Sequence, residues 1–189
     1  MKRVIISILS MCISAIFFIG CQKQTSSNDL LLKVLHNKET FIDEAGKSVY
    51  LKDYKLGEKR DIDTIPLKYT LIDFDSDDIN EMVLYVSPDY GAYIVFHIYN
   101  ETIYGFEFME RAMINLKTDG TFAQSQGAGI NSYVNLHFEG ETYEIIEKAY
   151  QNDENNEFRI DGVTASFEDV SNFTDKFEHK SNVIWTKVE

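Results

Sequence analysis

Four acidic side chains stand close together between two apolar runs of the sequence. They are Asp73, Asp75, Asp77 and Glu81. Carboxylates at every second position would crowd like charges on one face of a strand, so we expect a loop here. Such a loop suits a hard cation such as Ca²⁺, which takes about six to eight oxygen ligands, and the Ile79 carbonyl would be a further donor. The alternative is a solvent-exposed acidic hairpin loop that binds no ion.

The spacing of these residues excludes an EF-hand and favours another calcium-type loop. Counted from Asp73, the EF-hand needs glycine at position six and a bidentate glutamate at position twelve, where this chain has Asp78 and Leu84. We expect positive φ at Asp78, which aspartate tolerates less well than glycine. The loop resembles the D-x-D-x-D-x-x-x-E loops that join two strands in FG-GAP-type repeats. That resemblance implies that Glu81, at position nine, completes the ligand shell.

Two histidines and two glutamates are further candidates for a ligand-binding or catalytic site. They are His97, His137, Glu107 and Glu110. The histidines fall in predicted strands and could form a metal or acid–base pair if those strands are neighbours, although core or edge histidines are commoner. The glutamates could act as paired carboxylates of an extracellular hydrolase, but acids at a strand end are ordinarily solvated. The chain has no G-x-S-x-G, H-E-x-x-H or Walker sequence, so a non-enzymatic binding module is favoured over an enzyme.

Residues 1–20 have the composition of a secretory signal peptide. Lys2 and Arg3 precede an apolar run over residues 4–19, which is short for a membrane-spanning helix. The run ends in Phe18-Ile19-Gly20-Cys21, which resembles a bacterial lipobox except that phenylalanine replaces the usual leucine. The resemblance implies cleavage before Cys21 and a diacylglyceryl thioether on its sulfur, an anchor that two or more acyl chains make stable. The alternative is ordinary signal-peptidase cleavage, which leaves a free thiol.

Charge and cysteine content agree with an exported protein that is lipid-anchored on the extracellular side of the cell membrane. The formal charge is −13, and loss of residues 1–20 with their two bases leaves −15, which should repel nucleic acid. Cys12 lies within the signal and Cys21 would carry the lipid, so no thiol remains for a disulfide. Residues 21–27 then form the lipidated cysteine and a polar tether, and residues 28–189 form a single globular domain. Its partner beyond the membrane would be a protein or an envelope polymer.

The rest of the chain predicts an α+β fold, mainly an antiparallel β meander in a curved sheet or sandwich, with an N-terminal and a C-terminal helix packed on it. A helix beginning at Ser27 or Asn28 should stop near Asn37, and a hairpin should follow over residues 41–53. A charged loop is expected over residues 56–66. Short apolar runs between Gly- and Asn-containing turns then predict strands. These strands are 67–74, 82–87, 93–99, 102–109, 113–117, 121–125, 133–138, 141–146 and 183–188.

The C-terminal helix has a clear start signal. Ser166 followed by Asp169 has the spacing of a capping box. The apolar positions that follow repeat at helical spacing along one face, and that face should pack on the sheet. These positions are Phe167, Val170, Phe173 and Phe177.

A series of motifs gives the chain a wider resemblance. The motifs are the acidic loop, Tyr104–Phe108, Leu116–Phe122, Phe138-Glu139-Gly140 and Trp185, in that order. They resemble those of uncharacterised lipoproteins from clostridia and related Gram-positive bacteria over most of the chain, roughly from Val34 to Trp185. The resemblance implies a cell-surface location and the architecture described above. It implies no activity, since the family has none assigned.

The lipobox predicts how the protein partitions between detergent and water. In a Gram-positive host the protein should enter the detergent phase, and Cys21→Ala should move it to the soluble fraction, because that change removes the acylated sulfur. Phase separation with a nonionic detergent measures this. Cys12→Ala, inside the predicted signal, is the matched control and should have no effect. Partitioning that survives Cys21→Ala would contradict the prediction.

Overall fold

The computed structural model describes residues 27–57, 62–87 and 91–189 of the chain. The predicted signal peptide, the predicted lipidation site at Cys21 and nearly all of the tether lie outside these residues, as does part of the predicted charged loop. Among the described residues, no helix combines the length and the apolar character needed to cross a membrane.

The described residues form two α-helices, fourteen strands and two short 3-10 helices, an α+β arrangement as the sequence predicts. Helix α1 covers residues 27–35 and helix α2 covers Phe167–Glu178. The 3-10 helices cover Leu51–Asp53 and Glu110–Ala112. The strands are β1 Phe41–Ile42, β2 Ser48–Val49, β3 Lys55–Leu56, β4 Ile62–Asp63, β5 Ile65–Ile72, β6 Glu81–Ser87, β7 Ala92–Tyr99, β8 Thr102–Met109, β9 Phe122–Gly127, β10 Ile130–Glu139, β11 Thr142–Asn152, β12 Glu157–Ile160, β13 Val163–Thr164 and β14 Thr186–Lys187.

The strands form two main sheets in which most neighbours in sequence are antiparallel neighbours in space. One sheet has seven strands in the order β14-β5-β6-β7-β8-β1-β2, and the other has five in the order β13-β12-β11-β10-β9. Strands β3 and β4 make a separate hairpin. The predicted antiparallel meander is confirmed for β5–β8 and for β9–β13. Outside it, β1 pairs with β8 in parallel, and β14 returns to pair with β5.

Strand β7 lies at the centre of the seven-stranded sheet and is buried on both faces, as its apolar residues on both faces indicate. The two faces point to different layers, because successive side chains of a strand alternate. Ile94 and Phe96 pack in a core with Leu31 and Val34 of α1, whereas Val95 packs in a second core between the two sheets. The layers therefore follow one another as α1, the seven-stranded sheet, the five-stranded sheet and α2.

The parallel contact of β1 with β8 depends on a glycine. Ile42 pairs with Tyr104, and Gly105 follows it along β8. A Cβ at Gly105 would lie 2.6 Å from the Phe41 ring, so any larger residue would push β1 away from the sheet. The Phe41 ring is 1% exposed and meets Phe96 edge to face, with 5.0 Å between the ring centroids. The sequence predicts the β1–β2 hairpin but carries no signal of this parallel pairing.

The predicted boundary signals of both helices are confirmed. Helix α1 ends before Asn37, which has a φ of 56° and donates its amide to the Val34 carbonyl at 2.9 Å. Helix α2 begins with the predicted capping box. The Asp169 amide donates to Ser166 Oγ at 3.2 Å, and the Ser166 amide donates to Asp169 Oδ2 at 3.0 Å.

The predicted strand over residues 183–188 is reduced to Thr186–Lys187, and two other predicted segments also differ from the structure. Residues 113–117 do not form the predicted strand and make isolated bridges at Ile114 and Lys117. Asn115 adopts a left-handed conformation with a φ of 54°, which interrupts an extended run. The predicted loop over residues 56–66 is partly strand, since it contributes to β3, β4 and β5. In both places the outcome depends on backbone conformation and pairing that composition does not reveal.

The apolar stripe of α2 packs on the five-stranded sheet over part of its predicted length. Val170 and Phe177 are fully buried, and the Phe177 ring lies 4.8 Å from the ring of Tyr133 in β10. Phe173 is half-buried, and Phe167 is 58% exposed. The prediction was wrong for Phe167, because the first turn of α2 lies over the short strand β12, where the ring meets Phe158 and is covered only in part.

Truncating the buried end of this stripe should be costly. Phe177→Ala should lower the free energy of unfolding by about 3–5 kcal/mol, because it leaves a cavity beside Tyr133. Phe167→Ala is the matched control and should cost less than about 1 kcal/mol, because that ring is largely exposed. Urea titration followed by the fluorescence of Trp185 measures both losses. Equal losses for the two variants would contradict the packing described here.

Candidate metal centre

The loop between β5 and β6 brings three carboxylates together at one end of the sheets. Asp73, Asp75 and Asp77 each offer a carboxylate oxygen, and these atoms lie within 4.8 Å of one another. Acidic groups also cluster without an ion, so proximity alone does not decide what the group does. Its donor chemistry is nevertheless selective, since oxygen ligands favour hard cations such as Ca²⁺, Mg²⁺ or Mn²⁺. The three residues could hold a metal ion.

Hydrogen bonds within the loop fold its backbone around Asp73. Asp73 Oδ1 accepts the amides of Ser76 and Asp77 at 2.7 and 3.2 Å, and Oδ2 accepts the amide of Asp78 at 3.1 Å. Ser76 and Asp78 adopt positive φ, at 63° and 66°, which confirms the expectation for Asp78. The amide of Ile79 donates to Asp77 Oδ1 at 2.7 Å. Two carboxylates of the loop, those of Asp73 and Asp77, therefore accept hydrogen bonds from the loop's own backbone amides.

Asp75 faces the second sheet. Its side chain is 7% exposed, and its Oδ2 accepts the amide of Phe138 in β10 at 3.1 Å. The Nδ1 atom of His137 lies 3.7 Å from the same oxygen. The other oxygen, Oδ1, is buried and has no hydrogen-bond partner among the described residues. A buried carboxylate oxygen without a partner costs free energy, so a cation or a hydrogen-bond donor beside Oδ1 would stabilise the folded chain.

Glu81, expected to complete the ligand shell, lies outside the group of three and has other contacts. It is fully buried; its Oε2 accepts the amide of Phe74 at 3.1 Å, and its Oε1 lies 3.0 Å from Nδ1 of His97. Burial raises the pKa of Glu81 to about 7, although the hydrogen bonds from His97 and Phe74 oppose that shift. Both oxygens of Glu81 are therefore engaged in tying the loop to β7.

The two histidines have separate environments. His97 is 4% exposed and stacks on the Phe138 ring with 4.4 Å between the ring centroids. The His137 side chain is 54% exposed and points to the acidic loop. The nearest carboxylates also differ, since His97 contacts Glu81 and His137 contacts Asp75. The structure thus places both histidines beside the loop without joining them in a direct pair.

Phe74 fastens the loop to the five-stranded sheet, a role that the sequence analysis missed by placing this residue in a strand. Its ring is 2% exposed and packs near Phe122 and Phe138 in the inter-sheet core. Its carbonyl accepts the side-chain amide of Asn135 in β10 at 3.0 Å. Gly120 has a φ of 79°, and a Cβ there would lie 2.8 Å from Asn135 Oδ1 and 3.1 Å from the Phe74 ring, so glycine is favoured at this position. An aromatic residue between two acids was the available signal that this loop returns to the core.

Glu107 lies on the opposite face of the seven-stranded sheet from His97. It pairs with Ile94 across β7 and β8, and paired residues share a face, here the face toward α1. Its Oε2 accepts the amide of Gly57 at 2.9 Å and lies 3.4 Å from the Tyr54 hydroxyl. This glutamate therefore holds the segment around β3 against the sheet.

Glu110 lies at the other end of the sheet from the acidic loop. It begins the 3-10 helix after β8, where a Cβ at Gly91 would come 3.0 Å from its carboxyl carbon. Among the described residues, no two of His97, His137, Glu107 and Glu110 contact each other. The predicted carboxylate pair and the predicted histidine pair are therefore not assembled as direct pairs.

The electrostatics of the loop favour a bound cation. Burial raises the pKa of Asp77, repulsion from Asp75 and Asp73 adds to this effect, and the Ile79 amide opposes it. A divalent cation among the three carboxylates would convert their repulsion into attraction. An all-oxygen donor set of this kind can bind a hard cation.

Comparisons of the chain with protein-family models, with curated proteins and with solved structures found no match. The resemblance to clostridial lipoproteins therefore stays a prediction. The functional conclusions rest on the residues and on the geometry given above.

Glu81 gives the stability of the fold a particular pH dependence. An acid whose pKa is higher in the folded chain than in the unfolded chain favours folding while protonated. Its contribution is full below the ordinary pKa and is lost as pH rises through the folded value. For Glu81 this window runs from 4.5 to about 7. Glu81→Gln removes the ionisation, so this variant should gain stability relative to the wild type as pH rises through the window.

Thermal melts of the two proteins at several pH values across this window measure the difference. The same melts on Glu139→Gln, at an exposed position of β10, control for the loss of one acid. A constant difference between Glu81→Gln and the wild type across the window would contradict the burial effect.

Proposed function

We propose that the protein is a lipid-anchored extracellular binding module of the cell surface, of the Gram-positive lipoprotein type, and that a calcium ion at Asp73, Asp75 and Asp77 closes its fold. The observation that carries the ion is the buried Oδ1 of Asp75, which lacks a partner within a group of three carboxylates. Calcium suits an all-oxygen site of irregular geometry better than magnesium, which demands a smaller and stricter octahedron. In this proposal the acylated Cys21 holds the module at the membrane, and the ion is structural.

An ion at this position would act on both sheets at once. Asp73 and Asp77 belong to the loop between two strands of the seven-stranded sheet, whereas Asp75 is hydrogen-bonded to the Phe138 amide of the five-stranded sheet. Calcium would replace repulsion among the carboxylates by attraction and give the Asp75 oxygen its missing partner. Its effect would be to hold the inter-sheet core closed beside Phe74.

The expected affinity is modest. Asp78 stands where a tighter loop would have glycine, and Glu81 is engaged with Phe74 and His97 instead of the ion. Three aspartates leave several of the positions around calcium to other oxygens. A dissociation constant of about 10⁻⁴–10⁻³ M, the range of extracellular modules, follows from this count.

The binding role is supported by an open cavity whose lining includes aromatic side chains. A cavity of about 360 Å³ opens between the β1–β2 turn and the start of β11. Aromatic faces combined with polar groups in an open cavity suit a protein or an envelope polymer as partner. Its aromatic lining is Tyr104, Phe106 and Tyr143, and its acidic lining is Asp43, Glu44 and Glu141.

The alternative of an extracellular hydrolase gains no support from the geometry. Four surface cavities of the described residues are lined by side chains other than His97, His137, Glu107 and Glu110. A hydrolase would bring an acid and a base together around one substrate position. We therefore propose the binding module alone.

Calcium should raise the melting temperature of the protein. At calcium tenfold above the dissociation constant the native state gains about 1.4 kcal/mol, which corresponds to about 3–6 °C for a domain of this size. Asp75→Asn should abolish the rise, because it removes the charged ligand. In chelator the same variant should melt no lower than the wild type, since its amide oxygen can still accept from Phe138 and one repelling charge is gone. Melts in chelator, calcium and magnesium measure this.

Asp161→Asn is the matched control for this experiment. It removes an equal charge from an exposed turn where φ is 47°, a conformation that asparagine also tolerates, and it should keep the full calcium response. Magnesium should substitute poorly in the wild type. Equal wild-type melting temperatures in calcium and in chelator would contradict the proposal, and so would a rise that Asp75→Asn retains.

A further inference from the structure

The chain enters the described structure beside the acidic loop. Asn28, at the start of α1, accepts a hydrogen bond through Oδ1 from Nδ2 of Asn80 at 3.2 Å. Asn80 is the last residue of the loop before β6. The chain entry and the three-carboxylate group therefore lie at the same end of the molecule.

The length of chain before this point limits the distance between the loop and an anchor at Cys21. A fully extended chain spans at most about 3.6 Å per residue, so the stretch from Cys21 to Asn28 reaches about 25 Å at most. Acyl chains on Cys21 would hold its sulfur at the bilayer surface. The opposite end of the molecule lies farther from Cys21 than the loop does. The difference is about the length of β11, which is about 35 Å for eleven residues.

This end of the molecule, here called the loop end, is acidic beyond the loop itself. The β7–β8 turn with Glu101 lies at this end. Strands β5 to β8 run antiparallel in order, so the β5–β6 loop and the β7–β8 turn lie at one end of the sheet and the β6–β7 connection at the other. The β10–β11 turn lies at the loop end too, with Glu139 and Glu141 beside it, because Phe138 bonds to Asp75. An anionic bilayer would repel such a surface unless a cation stood between the two.

We propose that the loop end faces the bilayer that carries the anchor, and that the ion held by Asp73, Asp75 and Asp77 also binds phosphate oxygens of anionic lipid headgroups. This inference rests on the proposed function for both the anchor and the ion. Calcium takes about six to eight oxygen ligands, so three aspartates leave positions that phosphate oxygens can fill in place of water. The tip of the loop is accessible to them, since Ser76, Asp77 and Asp78 are exposed.

Fluorescence quenching by nitroxide lipids measures this orientation. The mature lipidated protein has no other cysteine, so a fluorophore can be placed through Glu139→Cys at the loop end or through Glu154→Cys beyond the far end of β11. Each labelled protein is reconstituted in vesicles of phosphatidylglycerol or of phosphatidylcholine with a nitroxide headgroup lipid. Calcium should increase quenching of the Glu139→Cys label on phosphatidylglycerol. Chelator should reduce it to the level seen on phosphatidylcholine, and the Glu154→Cys label should show no calcium response.

Variants connect the quenching to the ion. Asp75→Asn should lose the calcium-dependent part of the quenching, and Asp161→Asn, the matched loss of one charge, should keep it. Equal quenching of the two labels would overturn the proposal, and so would a calcium response of equal size on both lipids. Release of the Glu139→Cys label from the vesicle surface by soluble poly(glycerol phosphate) would also overturn it, because a polymer would then be the preferred source of phosphate.

The failures of the two proposals can be told apart. Absent calcium-dependent quenching together with an intact calcium-dependent rise in melting temperature would overturn the membrane contact alone. Absence of both responses would reject the ion as well. The detergent partitioning of Cys21→Ala tests the anchor independently of either response.

Discussion

The hydrogen bond from the Phe138 amide to Asp75 joins the two sheets at the point where three carboxylates meet. It brings a carboxylate to the margin of the inter-sheet core, where one oxygen of Asp75 is buried without a hydrogen-bond partner. A charge in that position must be matched, because the interaction of charges strengthens as the surroundings become less polar. Glu81, a second buried carboxylate nearby, is matched by His97 and by the Phe74 amide. Asp75 has a partner for only one of its two oxygens.

The contacts around this carboxylate explain how the layers of the fold are held at one end. Phe74 inserts between the sheets, Glu81 ties the loop to β7, and Asn80 ties it to α1. A cation at Asp75 would add to these contacts, and its effect would be greatest where the chain enters the domain. The apolar cores on both sides of β7 supply the bulk of the stability, so the expected gain from the ion is small. If the proposed calcium ion binds here, a small gain at this position would be sufficient to make the loop end respond to calcium.

Local signals in the sequence predicted the features that depend on neighbouring residues. The limits of β8, the capping box at Ser166 and the positive φ of Asp78 all follow from turn and cap chemistry. The spacing of the acids suggested that Glu81 belongs to the loop's ligand group, which it does not join. Glu81 lies two residues before Val83, so both side chains point toward the inter-sheet core, and this alternation could be read in the sequence. The bond between Asp75 and Phe138 joins residues far apart in the chain, and no local pattern encodes such a contact.

Hydrogen exchange at the Phe138 amide tests most directly whether an ion at Asp75 couples the two sheets. In this account calcium fixes the carboxylate that accepts this amide, so opening of the sheet contact must also release the ion. Exchange at Phe138 should therefore slow by about tenfold at calcium tenfold above the dissociation constant, relative to chelator. Slower exchange confined to the loop amides of Ser76 and Asp78, with Phe138 unchanged, would contradict the account.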